Sequence, residues 1–303
     1  MKFISPKTDF AFKKIFGSEQ SHGILISFLN GLVYKGEPII QDLTIINPYQ
    51  APKIRGVKDT YLDVKATLSS REVVIIEMQV LNVAGFEKRI LYNAAKSYST
   101  QLDAGQDYTL LNPVIALTIT DFEMFPDWDA VISSFVLKEK DFLMDYPSHD
   151  LELVFVELPK FHRQLDELIT LTDKWIYFLQ NARQLEQIPP VMGTIPEIEQ
   201  AFQRAQKANL SREELEDLEM REIFIHDQRN AIVRATQQGL ERGIEQGLQQ
   251  GIEQGRQQGV EEGARQAQIA IAQRLLQTLD EETVHQITGL PLAEVKTLKK
   301  PSV

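Results

Sequence analysis

The chain of 303 residues contains no cysteine. That excludes a disulfide framework, a thiolate zinc site and a cysteine nucleophile, and it fits a reducing, cytoplasmic setting. Histidine is scarce, and His22, His149, His162, His226 and His285 never fall at the His-x-x-x-His spacing of a helical zinc site. No apolar run approaches ~18 residues, so no membrane span is expected. The start, Met-Lys-Phe-Ile-Ser-Pro-Lys, lacks the apolar stretch of a signal peptide. There is no G-x-x-x-x-G-K phosphate loop and no G-x-S-x-G elbow, which argues against ATP use and serine hydrolysis.

Basic charge is short overall, with a net charge of −11. It is unevenly placed: residues 1–100 carry +4 and residues 101–303 carry −15. Phosphate binding needs local positive charge rather than a global excess. Lys13 and Lys14 lie on one predicted helix, Asp9 to Phe16, and Lys53, Arg55 and Lys58 lie in a Pro-containing loop. Asp9 either complements that helix's dipole or adds a third acid to the site described next.

The chain is organised around Asp59 to Val80. Tyr61 to Leu68 alternates, and Val73 to Val80 is β-branched and apolar apart from Glu77 and Gln79. A two-residue loop at Ser69-Ser70 would mix acid and hydrocarbon on both faces. A three-residue loop, Ser69-Ser70-Arg71, sets Lys65 opposite Ile75 and Asp63 opposite Glu77. It gathers Leu62, Val64, Ala66, Leu68, Val74, Ile76 and Met78 on one face. Opposed carboxylates repel. Either they sit on a solvated polar face, paired with Lys65 or Arg71, or a cation such as Mg²⁺ joins them.

An Asp followed on the next strand by E-x-K is the signature of the PD-(D/E)xK nuclease superfamily, and here Asp63 is followed by Glu77-Met78-Gln79. The opening S-P-K-T-D-F-A-F-K-K-I-F-G, the strand V-V-I-I-E-M-Q, the helix K-R-I-L-Y-N-A-A-K-S-Y and the later V-F-V-E-L-P-K-F occur in that order. Over roughly residues 1 to 265 the chain resembles the recombination-promoting nuclease (Rpn) and transposase family. Gln79 stands in the lysine position and Leu62 in that of the proline. The resemblance implies an α/β fold, a mixed sheet flanked by helices, with a long C-terminal helical tail. It implies a metal-dependent DNA endonuclease using Mg²⁺ or Mn²⁺, with Asp63 and Glu77 as metal ligands. Gln79 would orient the water and Lys65 would supply the missing charge. The helix from Phe86 to Leu102 would line the cleft, with Arg89 and Tyr92 toward DNA. The rival reading is a non-catalytic partner-binding or oligomerisation protein on a relic nuclease fold.

Three regions follow: a catalytic domain at 1–190, a helical extension at 191–268 and a helix-turn-helix-like unit at 269–303. The extension contains Gly239, Gly243, Gly247, Gly251, Gly255, Gly259 and Gly263, four residues apart. Each glycine costs a helix roughly 1 kcal/mol against alanine. A second helix, most simply from another copy of the chain, would offset that, so a homo-oligomer is expected. In the last unit Val284, Ile287, Leu290, Val295 and Leu298 are expected to pack, giving a small packing or protein-contact module.

Overall fold

The computed structural model describes residues 2–50 and 60–298. The chain divides into two compact units, 1–229 and 230–303. Residues 191–229, read from the sequence as the start of the extension, thus lie with the first unit. The reason is burial: Ile198, Ala201, Phe202, Leu210 and Leu218 all join its core.

The first helix, α1 (Asp9–Phe16), forms where expected. Thr8 accepts the Ala11 N–H at 3.3 Å and caps it, and Gly17 ends it. Ala11, Phe12, Ile15 and Phe16 are buried, leaving Lys13 and Lys14 on the outer face. α2 (His22–Leu32) follows and packs on α4 (Leu171–Asn181). Gly31 permits that approach, since a Cβ there would lie 2.8 Å from Trp175 Cδ1.

Among the described residues eight strands follow in chain order: β1 (Leu43–Ile46), β2 (Tyr49–Gln50), β3 (Thr60–Tyr61), β4 (Val64–Leu68), β5 (Val73–Gln79), β6 (Val114–Thr120), β7 (Ile132–Val136) and β8 (Leu151–Glu157). Six form one mixed sheet in the order β1-β4-β5-β6-β8-β7, while β2 and β3 pair separately. The central pairs β5–β6 and β6–β8 are parallel, and β6 is buried along its whole length. That explains its unbroken apolar sequence, V-I-A-L-T-I-T. β7 is an edge strand in a stretch that shows no clear period in the sequence. One face of the sheet carries α1, α2, α4 and α6 (Pro196–Arg204) over Val64, Ala66, Val74, Ile76 and Met78. The other face carries α3 (Phe86–Ser99), over Val73, Ile75, Val114 and Ala116. This is the expected α/β architecture of a mixed sheet flanked by helices.

The β4–β5 register agrees with the three-residue loop: Lys65 faces Ile75 and Val64 faces Ile76. Leu68 N–H donates to Glu72 O and Arg71 N–H to Leu68 O, each at 2.9 Å. Arg71 takes the left-handed conformation, φ 80°, where such loops favour glycine.

α5 (Pro190–Gly193) and α6 lead to α7 (Arg212–Leu275). Ser211 caps α7 through a reciprocal box with Glu214: Glu214 N–H donates to Ser211 Oγ and Ser211 N–H to the Glu214 carboxylate. In the second unit the end of α7 meets α8 (Glu281–Thr288) and α9 (Leu292–Leu298) around Ala272, Val284, Leu290 and Val295. Gly289 makes the turn at φ 73°. Ile287 departs from expectation: it faces outward and is 58% exposed. No described helix is long and apolar enough to cross a membrane.

Replacing Arg71 by glycine relieves the left-handed strain, and Arg71→Gly should stabilise the fold by up to about 1 kcal/mol in urea melts. A loss of stability would show that the arginine side chain contributes more than its backbone costs.

Candidate active site

The β4–β5 ladder stops one step short of the expected acid pair. From Val64 onward the register is regular, but Leu62 and Asp63 lie outside both β3 and β4. Asp63 N–H reaches back to Ile76 O at 3.2 Å. Met78 N–H donates instead to Asp63 Oδ2 at 2.8 Å. The aspartate carboxylate therefore takes the place of a strand carbonyl, and the chain kinks as at a β-bulge. Two expectations are corrected by this. Asp63 is not a regular cross-strand partner of Glu77. Leu62 does not share a face with Val64, for it packs with Val73, Ile75 and Ala94 in the layer under α3.

Both acids lie where the N-terminal end of β4 meets the C-terminal end of β5, and each carries a cation from a different helix. Lys13 of α1 approaches Asp63 Oδ1 at 3.5 Å. Arg89 of α3 binds Glu77 Oε1 at 2.6 Å. The same guanidinium donates to Gln79 Oε1 at 2.6 Å, and Gln79 Nε2 donates to Leu81 O at 2.6 Å. Asn93, one turn beyond Arg89, donates through Nδ2 to Glu77 Oε2 at 3.3 Å. Burial pushes the Asp63 carboxyl up to about 6, against the pull of the Met78 N–H and Lys13, with Glu77 and Asp9 adding to the rise. The two carboxylates thus feel each other's charge. Asp9 feels Asp63 as well and is held by Arg221 of α7.

The other sequence candidates spread out from this centre. Lys65 makes no ion pair with either acid among the described residues; it sits across from Ile75, and burial lowers its pKa. Arg89 is the cation that touches the E-x-Q motif, through Glu77 and Gln79, whereas Lys65 was the residue expected to bring charge to it. Lys14 pairs with Glu214 at 2.5 Å. Tyr92 is exposed on the outer side of α3, with Lys96 Nζ 6.0 Å from its ring centre. Lys53, Arg55 and Lys58 lie outside the described residues.

Asn93 was not among the sequence candidates. It is 2% exposed, and its Oδ1 has no hydrogen-bond partner. A buried acceptor left unsatisfied costs about 1–3 kcal/mol. The signal was its place in the buried stripe with Phe86, Ile90, Ala94 and Ser97, where a polar side chain is out of keeping.

Beside the acids a cleft of about 460 Å³ runs between Lys7, Asp9 and the β5 end, Met78 to Leu81, and the start of α7 at Asp217, Arg221 and Phe224. Asp121, just beyond the end of β6, receives Lys7 of this cleft at 2.9 Å and Arg229. The cleft thus lies outside the C-terminal ends of the parallel strands, the usual ligand crevice of open α/β sheets.

This geometry accords with the family comparison. The model of the PD-(D/E)XK nuclease family transposases matches residues 6–235. The chain belongs to this family. The matched stretch takes in the sheet, both acids, α3 and the first turns of α7, and it ends before the glycine repeat. No curated protein and no solved structure matches the chain.

Among the described residues no three acidic or histidine side chains converge into a cage for a metal ion. A PD-(D/E)XK site with a hard, hydrated cation does not require one, since Mg²⁺ takes one or two carboxylates and keeps its waters. Asp63 and Glu77 are oxygen donors of that kind, and Asn93 Oδ1 is a buried acceptor beside them. The donor set fits such a cation.

The raised pKa of Asp63 has a sign. Its folded value, about 6, exceeds the ordinary 3.8. The folded state therefore holds the proton more tightly, and stability falls as pH climbs from about 4 to about 6. The full cost, at most about 3 kcal/mol, persists above that window. Asp63→Asn keeps an acceptor for Met78 and removes the charge. In EDTA it should be more stable than wild type at pH 7.5, and the two should converge near pH 4 in urea melts. A less stable Asn variant at pH 7.5 would refute a net cost of that charge.

Proposed function

We propose that the chain is a divalent-metal-dependent endodeoxyribonuclease, hydrolysing DNA phosphodiesters in the recombination and transposition chemistry of its family. The observation that supports this most directly is that Asp63 and Glu77 lie near enough for the charge of one to raise the other's pKa, inside the matched family region. Mg²⁺ or Mn²⁺ held there supplies an activated water and neutralises phosphate charge. Asp63 and Glu77 hold the cation, and Asp63 must give up its proton to do so. Proton and cation therefore compete, and cleavage should weaken below about pH 6. Gln79 is fixed at both ends, by Arg89 and Leu81 O, so its amide is a rigid orienting group and cannot take the role of a general base. Arg89 and Lys13 hold positive charge beside the two acids, where a phosphate backbone would lie. Lys14 and Tyr92 are further candidates for contact with the backbone, and Lys53 and Arg55, expected to share in it, lie outside the described residues.

Supercoiled plasmid with Mg²⁺ tests the reading. Wild type should nick it, and Asp63→Ala and Glu77→Gln should not. Equal nicking by all three, or none by pure wild type with Mg²⁺ or Mn²⁺, would favour the relic-fold alternative.

We further propose that the glycine segment of α7 associates with a second copy of the chain. Its seven glycines have nothing within 4 Å of where a Cβ would stand. Leu240, Ile244, Leu248, Ile252 and Val260, each following one of these glycines, are more than half exposed. A spacing of 4.0 residues advances about 40° per step around a helix of 3.6 per turn, so the ridge winds and favours a right-handed crossing. Two copies would also bring two active sites to one duplex. Sedimentation should show the full chain as an oligomer at micromolar concentration and a chain ending at Gln238 as a monomer. Monomers in both cases would end this proposal.

A further inference from the structure

Asn93 has a structural environment that packing does not explain. It sits on the sheet-facing side of α3 among Phe86, Ile90 and Ala94, all buried. A leucine would fill that place without burying a polar group. The asparagine brings two donor hydrogens and an acceptor oxygen into the core layer. One contact is made, from Nδ2 to Glu77 Oε2. A carboxylate only accepts, so Glu77 fixes the amide with Nδ2 toward it and leaves Oδ1 as the unpartnered atom.

The chemistry around Oδ1 narrows what can satisfy it. The partner must donate a hydrogen or be a cation, because Oδ1 is an acceptor. It must also tolerate the Glu77 carboxylate next to it. An anion or an apolar group fails on both counts. A water molecule in the shell of a divalent cation meets both, since the cation polarises its O–H bonds and is itself drawn to Glu77. The two oxygens of Glu77 then have separate duties. Oε1 is held by Arg89, whose Nε is likewise buried without a partner, and Oε2 faces Asn93.

We propose that Asn93 is a positioning residue for the cation site, orienting Glu77 through Nδ2 and receiving a hydrogen of the cation's water shell at Oδ1. This rests on the reading of Asp63 and Glu77 as cation ligands.

Mn²⁺ binding to the full chain, followed by electron paramagnetic resonance, tests it without reference to turnover. Asn93→Leu should bind Mn²⁺ some 10- to 100-fold more weakly than wild type, the usual loss for a group behind a metal ligand. Its melting temperature in EDTA should equal or exceed that of wild type, because an orphaned acceptor has gone. Asn93→Asp keeps an oxygen at the same place. It loses the Nδ2 donor but adds a carboxylate oxygen for the cation, so it should bind Mn²⁺ more tightly than Asn93→Leu and show a larger Mn²⁺-induced rise in melting temperature than that variant. A merely structural asparagine gives the reverse pattern: Asn93→Leu melts lower and binds Mn²⁺ as wild type does. That result, or equal loss in both variants, overturns the proposal while leaving plasmid nicking intact. Wild type that binds Mn²⁺ but does not nick sinks the nuclease reading and, with weak binding by Asn93→Leu, upholds this one. Wild type with no saturable Mn²⁺ binding overturns both.

Discussion

The hydrogen bond from Met78 N–H to the Asp63 carboxylate is the constraint from which the site's geometry follows. A strand N–H at that depth must be paired. Here a side chain pairs it, and the ladder gives up one backbone rung in return. The exchange frees the chain before β4 to kink, turns Leu62 to the α3 layer and anchors a carboxylate at the end of β5. A charged group is held where a regular sheet would have put a carbonyl. The raised Asp63 pKa is the thermodynamic trace of that choice.

Much of this was legible in the sequence. The alternation of Tyr61 to Leu68 and the apolar run from Val73 fixed the loop length, because a one-residue slip would have put Glu77 in the hydrocarbon layer. The helices α1 and α3 announced themselves by period, and four segments in order, the E-x-Q strand among them, pointed to the family. The remainder was hidden for identifiable reasons. A periodic reading extends the ladder to Asp63 because nothing in the letters marks a side chain substituting for a backbone acceptor. Lys65 looked like the missing cation because it alternates onto the same strand face as Asp63, whereas Arg89 reaches Glu77 and Gln79 from the helix that follows β5. Asn93 was passed over because a single polar residue on an amphipathic helix is assigned to the outer face unless its angular position is worked out. β7 was missed because its short edge strand carries two serines within an apolar run.

Long-range ion pairs tie the start of α7 to the first helix, and no local pattern could have foretold them. Arg221 meets Asp9, and Glu214 meets Lys14, across some two hundred residues of chain. One pair sets an acid of α7 against a lysine of α1 and the other reverses the signs, so the first turns of α7 are matched to α1 charge by charge rather than by an excess of one sign. Pairs of this exposure contribute little stability singly. Their effect is orientational: they hold the first turns of α7 against α1, and Asp9 and Arg221 contribute to the cleft wall.

The glycine repeat has a consequence of another kind. Every fourth position is the same and the intervening residues vary little, so a helix laid against it meets nearly the same surface after a slide of four residues, about 6 Å. The segment specifies how two helices touch without specifying where along their length they stop. Gain or loss of a whole repeat leaves the ridge intact, whereas gain or loss of one residue breaks it. The length of this segment can therefore drift in units of four, free of the constraints that fix the rest of the chain.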